Sequence, residues 1–492
     1  MSELPVQLGY KTKTQEAIVS AAVLIAIAFM FIWPALINKF PLVFYDTSTY
    51  LVRAKVALDS LVAHDVSVIQ NAAAHSTETG EPGYVSSDNP FFLRPFTYSL
   101  FLMPFASGAT FYLAPIAQGL LCAYLLKRLF ALFGVKRNAT LLMLGATIAL
   151  FSSLPIHASY LMPDVFTGAL VVASFVTVAS WAHRSTLARL FDIGLMSFLV
   201  AVHLSHIPIA LALIVMHAAI CLVFRDQFNL KAVGAGLVAP LAIAIAALVG
   251  SNFVVANKPV ISESSSLFLL ARLIGDGPAL EHLKAACPTK QYVLCTRLDE
   301  LNARDQNGSI SDFFLWAPEG AVKQLGSARM VAEADEITTD TLQAYPMEIA
   351  QHATWNFIRQ LATFQVDDDA NNPPADFVTS VLRRVDEPLA AQYLASEQSQ
   401  GRFPLRAARV LTVLGIIAGV IAIAYMTLAR RRNVTLPAWL FLLIAATGAG
   451  ANALAIGALS EVHDRYQNRV IWLVPVAALI LILSALPKQR AP

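Results

Sequence analysis

Runs of about 20 apolar residues recur along the chain, the length a helix needs to cross about 30 Å of hydrocarbon. They fall at about 17–37, 109–126, 138–155, 165–182, 190–204, 207–224, 232–254, 408–429, 435–457 and 470–486. The pattern predicts an all-α polytopic membrane protein with about ten transmembrane helices. The fifth and sixth runs form one apolar region interrupted by His203-Leu204-Ser205-His206-Ile207-Pro208, where proline and polar residues predict a break or re-entrant bend. The first run follows Lys11 and Lys13 and reaches Trp33-Pro34 with no clear cleavage site, so it reads as a retained span and not as a signal peptide.

Ten spans put both termini on one side. Lys127, Arg128, Lys136, Arg137, Arg184, Arg189, Arg225, Lys231 and Arg430-Arg431-Arg432 then share the face of the termini. Short basic loops face the cytoplasm, so both termini are expected there. The opposite, outer face receives two long polar stretches, 38–108 and 255–407. The organisation expected is a transmembrane module over 1–254, an outer and mostly helical domain over 255–407, and closing helices over 408–492. Within 38–108, the segment 91–102 is apolar but short and proline-bounded, which reads as an interfacial helix.

Composition agrees with the pattern. Of 492 residues 57% are hydrophobic and 14% charged, against roughly 25% charged in soluble domains. A net charge of +2 without a long basic run argues against a nucleic-acid partner. Cys122 and Cys221 lie in apolar runs as packing residues. Cys287 and Cys295 lie in a polar stretch on the expected outer side, where a disulfide fits better than a zinc site.

Candidate chemistry gathers at the outer ends of the spans. Asp46 stands just before a predicted helix starting at Thr47; it reads as a general base or metal ligand, or as a plain helix N-cap. Tyr50 and Arg53 follow on nearby faces. Arg94 suits a phosphate or carboxylate clamp, or a snorkelling role. Asp164 opens the fourth span beside His157 and Tyr160; His157, His203 and His206 read as cavity residues. The loop Ser460-Glu461-Val462-His463-Asp464-Arg465-Tyr466-Gln467-Asn468-Arg469 places Arg465 and Arg469 in a short outer loop, against the usual charge bias. An anionic lipid-linked phosphate explains such a pair, as does pairing with Glu461 and Asp464.

The order Asp46-x-x-x-Tyr50-Leu51, Arg94-Pro95-x-x-Tyr98-x-Leu100-x-Leu102, Met162-Pro163-Asp164 and Arg465-Tyr466 resembles the polytopic GT-C glycosyltransferases. The bacterial branch similar to aminoarabinose and mannosyl transferases is the nearest in layout. The resemblance covers roughly the first 225 residues and the last 35. It implies Asp46 and Asp164 as catalytic acids. It implies Arg94 and Arg465, with Tyr50, His463, Tyr466 and Arg469 around them, as the holders of a polyprenyl-phosphate sugar donor. It also implies a glycan or lipid acceptor, an inverting displacement and a place in the bacterial inner membrane. Family members often carry a second acid in the first loop. Here Thr47 and Ser48 follow Asp46, so a divalent cation held by Asp46 and Asp164 is only an open possibility. Two other readings use the same residues: a transporter or flippase of an anionic solute or lipid, and an outer-surface glycan ligase or polymerase.

Overall fold

A computed structural model describes residues 13–78, 94–106, 111–225, 229–304, 310–366 and 375–487. Residues 79–93, with the start of the expected interfacial helix, and the acidic run 367–374 lie outside the described residues. The described chain is helical throughout. Its sole β-bridge pairs Leu42 with Tyr160 in parallel.

Eight helices are long and apolar enough to cross a membrane: Thr14–Phe31, Leu113–Leu132, Val165–His183, His206–Val223, Leu230–Ala256, Leu405–Leu428, Leu436–Leu459 and Asp464–Ala485. Two more of the apolar runs are shorter helices, Asn138–Leu150 and Thr186–Ala201. The region 190–224 is broken, as its proline and polar residues predicted: one helix ends at Ala201 and the next starts at His206. His206 Nδ1 donates to the Leu199 carbonyl across the break (2.5 Å), so Nε2 accepts from the Thr167 hydroxyl (2.8 Å). Both histidine nitrogens are satisfied, which explains why a polar ring tolerates full burial here.

Small residues let the helices approach closely. Gly168 lies under Trp472, a fully buried side chain; a Cβ there would stand 2.5 Å from the indole ring. Trp472 Nε1 donates to the Arg469 carbonyl (3.0 Å), so this contact fixes the height of the last helix pair against Val165–Ser180. Gly168→Ala should lower stability by about 1–3 kcal/mol through overpacking. Thermal unfolding in detergent checks this; an unchanged midpoint would show that the ring moves aside freely.

The stretch 255–407 does not form one outer core. Helix Ser265–Asp276 and the elements up to Ile337 pack around their own cluster, which includes Leu270, Phe314 and Met330. Cys287 and Cys295 are joined by a disulfide within that unit. Val366, Val378, Leu382, Leu389, Tyr393 and Phe403 instead join the core of the transmembrane bundle. Helix Ala375–Val385 packs on the Asp46-bearing helix Thr47–Ala63.

Candidate functional site

The N-termini of Thr47–Ala63, Val165–Ser180 and Asp464–Ile471 and the Ala201/His206 break meet at one end of the bundle. The Leu42–Tyr160 bridge holds the chain before Asp46 against the chain before Asp164, through Leu42 N to Ser159 O (2.9 Å) and Leu161 N to Leu42 O (3.0 Å). On the other side, Gln398 pairs with Val43 like a strand neighbour: Val43 N donates to Oε1 (2.9 Å) and Nε2 donates to Val43 O (2.8 Å). Asn38 Oδ1 accepts from Gln398 N (2.7 Å). These buried amides satisfy backbone groups in a segment that has no helix of its own.

Asp46 precedes its helix but makes no side-chain cap bond. Its carboxylate is taken by arginines. Arg94 Nη2 donates to Oδ1 (2.9 Å), and Arg465 Nη2 stands 3.6 Å from Oδ2. The capping alternative for Asp46 therefore gives way to ion pairing. Arg94 is likewise no snorkelling residue: Arg53 donates to its carbonyl and its guanidinium lies over the Phe268 ring (5.6 Å).

Arg465 lies face-on to Phe44, 3.8 Å from the ring centroid, with Tyr466 on another side at 5.1 Å. Its Nη1 is buried and has no hydrogen-bond partner among the described residues. An arginine fork with an unused buried donor is ready for a further oxygen acceptor.

Asp164 and Arg469 form a second, deeper pair. Arg469 is fully buried; Nη1 donates to Asp164 Oδ1 (3.2 Å) and Nη2 to Ser205 Oγ (2.9 Å). Asn452 Oδ1 accepts from Arg469 Nε (3.1 Å) and Nη2 (2.8 Å). Burial alone would raise the Asp164 carboxyl, but Arg465 and Arg469 hold it below the usual carboxylate range. Arg465 and Arg469 thus pair with Asp46 and Asp164.

His157 donates from Nε2 to Asn468 Oδ1 (2.8 Å), and Asn468 Nδ2 donates in turn to the Phe364 carbonyl (2.7 Å). His203 Nδ1 accepts from Ser205 N (3.2 Å). Tyr50 is buried with its ring edge-on to Tyr98 (4.9 Å), and Tyr98 bonds Gln118 (2.8 Å). His463 is exposed and its ring stands edge-on to Tyr466 (5.8 Å), the ring that flanks Arg465 and Arg469. It meets Asp312 and Glu461, with one ligand-type atom from each of the three within 4.8 Å of the others. Among the described residues these three form a group of metal-ligating side-chain types. Arg53, Ser205 and Asn468 stand within the sequence motifs without an assigned partner, and Asn452, Gln398 and Asp312 carry no motif at all. The buried amides among them carry no periodic signal; Asn452 alone was visible, as a polar residue inside an apolar run.

Fold and site together define a class: an all-α, multi-pass membrane protein with a buried acid–arginine cluster where its helix ends meet. Comparison with known protein families, with curated proteins and with solved structures finds no match.

Proposed function

We propose that this protein is a membrane glycosyltransferase that moves a sugar from a polyprenyl-phosphate donor to a glycan or lipid hydroxyl at the outer face of the membrane. The observation that carries the reading is Arg465: a buried guanidinium with an unused donor, flanked by Phe44, beside Asp46 and within the field of Asp164. A phosphate would take that donor and compete with Asp46 for Arg94 and Arg465. Binding of the donor lipid thereby releases the Asp46 carboxylate next to the reacting sugar. The acceptor oxygen attacks the anomeric carbon, the carbon–oxygen bond to phosphate breaks, and the hydroxyl proton goes to Asp46. Polyprenyl phosphate leaves with the bond electrons, its charge stabilised by Arg94 and Arg465. Attack opposite the leaving group inverts the anomeric centre. Asp164 and Arg469 position Arg465 from below.

The two short helices count as crossings in this reading, giving ten spans. Val165–Ser180 starts at the site, Thr186–Ala201 returns to it, and His206–Val223 leaves again. At the far end Asp192 accepts from Arg128 (2.6 and 2.9 Å) and from Arg184 (3.1 and 3.1 Å), which gathers two of the basic loops on one face. By the charge rule that face is cytoplasmic, with both termini, in a bacterial inner membrane.

The test is sugar transfer in proteoliposomes supplied with polyprenyl-phosphate-linked sugars and a hydroxyl acceptor. Product with an inverted anomeric configuration is expected. Movement of the lipid or of an anionic solute across the bilayer with no glycoside formed would overturn the reading in favour of transport.

A further inference from the structure

The helix Pro346–Ala362 belongs by sequence to the polar stretch 255–407, yet its polarity is inside out. At 100° per residue, Met347, Trp355, Ile358 and Leu361 fall within an arc of about 120°. All four are exposed, at 71%, 60%, 50% and 38%. The opposite side carries Asn356 and Gln360, both buried, while Gln351 and Thr354 share the exposed arc. Asn356 Nδ2 donates to both Asp276 carboxylate oxygens (3.1 and 3.3 Å). Gln360 exchanges two bonds with the backbone of His463: Nε2 to O at 2.8 Å, and His463 N to Oε1 at 3.1 Å. A helix in water does the reverse, burying its apolar stripe and hydrating its polar one. An exposed apolar stripe of this size needs a cover.

The helix it packs on indicates the cover. Pro346–Ala362 lies along Leu436–Leu459, one of the eight membrane-length helices. The two backbones come so close that a Cβ on Gly457 would stand 2.8 Å from the Asn356 carbonyl carbon. On the same long helix Leu454, on a face about 60° from Gly457, is exposed at 51%, so apolar surface lies beside the contact between the two helices. Trp355 on that face suits the boundary between acyl chains and headgroups, where an amphipathic ring is favoured.

We propose that Pro346–Ala362 is seated in the membrane leaflet on the Asp46 side, with its Met347–Leu361 face against lipid. The outer region therefore dips into the bilayer at this helix and does not stand wholly in water. The seat also reaches the acid–arginine cluster. Directly after the helix, Gln365 N donates to Asp464 Oδ1 (2.6 Å) and the Phe364 carbonyl accepts from Asn468. A strap from the lipid-seated helix thus binds the turn that carries Arg465 and Arg469. The inference does not depend on the reaction assigned to that cluster.

The test is collision mapping in lipid nanodiscs. Cys122 and Cys221 are replaced by alanine, and a nitroxide is placed in turn at positions 347, 358 and 361, with exposed Asp335 as the aqueous control. Oxygen collisions should exceed those of a water-soluble nickel chelate at 347, 358 and 361, with the order reversed at 335. Nickel dominating at all four positions would put the face in water and overturn the proposal. Neither reagent reaching the face would mean that a protein covers it, which overturns it equally. If the background lacking Cys122 and Cys221 does not fold, brominated lipids give the same answer in the native chain. The wild type should then lose more tryptophan fluorescence to bromolipid than Trp355→Phe does; equal losses would contradict the lipid seat.

Discussion

Asp46→Asn should slow sugar transfer by about 10²–10⁴-fold, the range over which a positioned general base acts. The loss should fall on kcat, because the amide keeps the shape of the side chain but accepts no proton. Donor affinity should hold or rise, because the phosphate no longer competes with the Asp46 carboxylate for Arg94 and Arg465. Arg465→Gln should raise KM for the lipid donor and also lower kcat through a slower leaving-group step, so the KM effect sets it apart. Transfer rates over a range of donor concentrations separate the two. An Asp46→Asn protein that folds, binds donor and turns over at the wild-type rate would remove Asp46 from the chemistry.

The largest expected effect on stability is at the deeper pair. Arg469→Met leaves Asp164 buried without its hydrogen-bonded partner, and breaking a buried pair in this way costs about 3–5 kcal/mol. The double variant Asp164→Asn/Arg469→Met should recover part of that loss, since no uncompensated carboxylate remains. The sign with pH follows from the direction of the shift. The Asp164 carboxyl is held below its ordinary value in the fold. Its stabilising contribution is therefore complete above the unfolded value of about 4 and declines as pH falls toward the folded one. Acid should destabilise the wild type through this group, and Asp164→Asn should lose that component. Unfolding midpoints for the four proteins between neutral and acid pH check this; equal midpoints for wild type and Arg469→Met would contradict it.

Much of the outline was legible in the chain because the bilayer restricts the answer. Backbone groups in hydrocarbon must be satisfied within the segment, so apolar length reads directly as helix. The break at 202–205 was legible for the same reason. Asp46, Asp164, Arg94 and Arg465 stood out because charge near hydrocarbon is costly and so needs partners. Their pairing was not legible: Asp46 with Arg94 and Arg465, and Asp164 with Arg469, join positions 48 to 419 residues apart. His463 was grouped with the phosphate-binding residues from its place in the loop, whereas its backbone is tied to Gln360 and its ring turns toward Asp312 and Glu461. The stretch 255–407 was the least legible. Hydropathy marks 255–407 as polar, and it cannot distinguish a helix whose polar side faces inward from one whose polar side faces water. Nor does it show that Val366, Val378, Leu382, Leu389, Tyr393 and Phe403 return to the bundle core, a matter of packing between segments far apart in sequence.

The central claim is that Arg94 and Arg465 hold the phosphate of a polyprenyl-linked donor. A polyprenyl phosphate carrying a photoreactive group beside its phosphate tests it most directly, with the protein in nanodiscs and labelled peptides read by mass spectrometry. Label should concentrate on the peptides containing Arg94 and Arg465, fall when unlabelled polyprenyl phosphate competes, and fall again in Arg465→Gln. Label spread over the exposed lipid-facing residues of Leu405–Leu428, insensitive to competition and to Arg465→Gln, would contradict it.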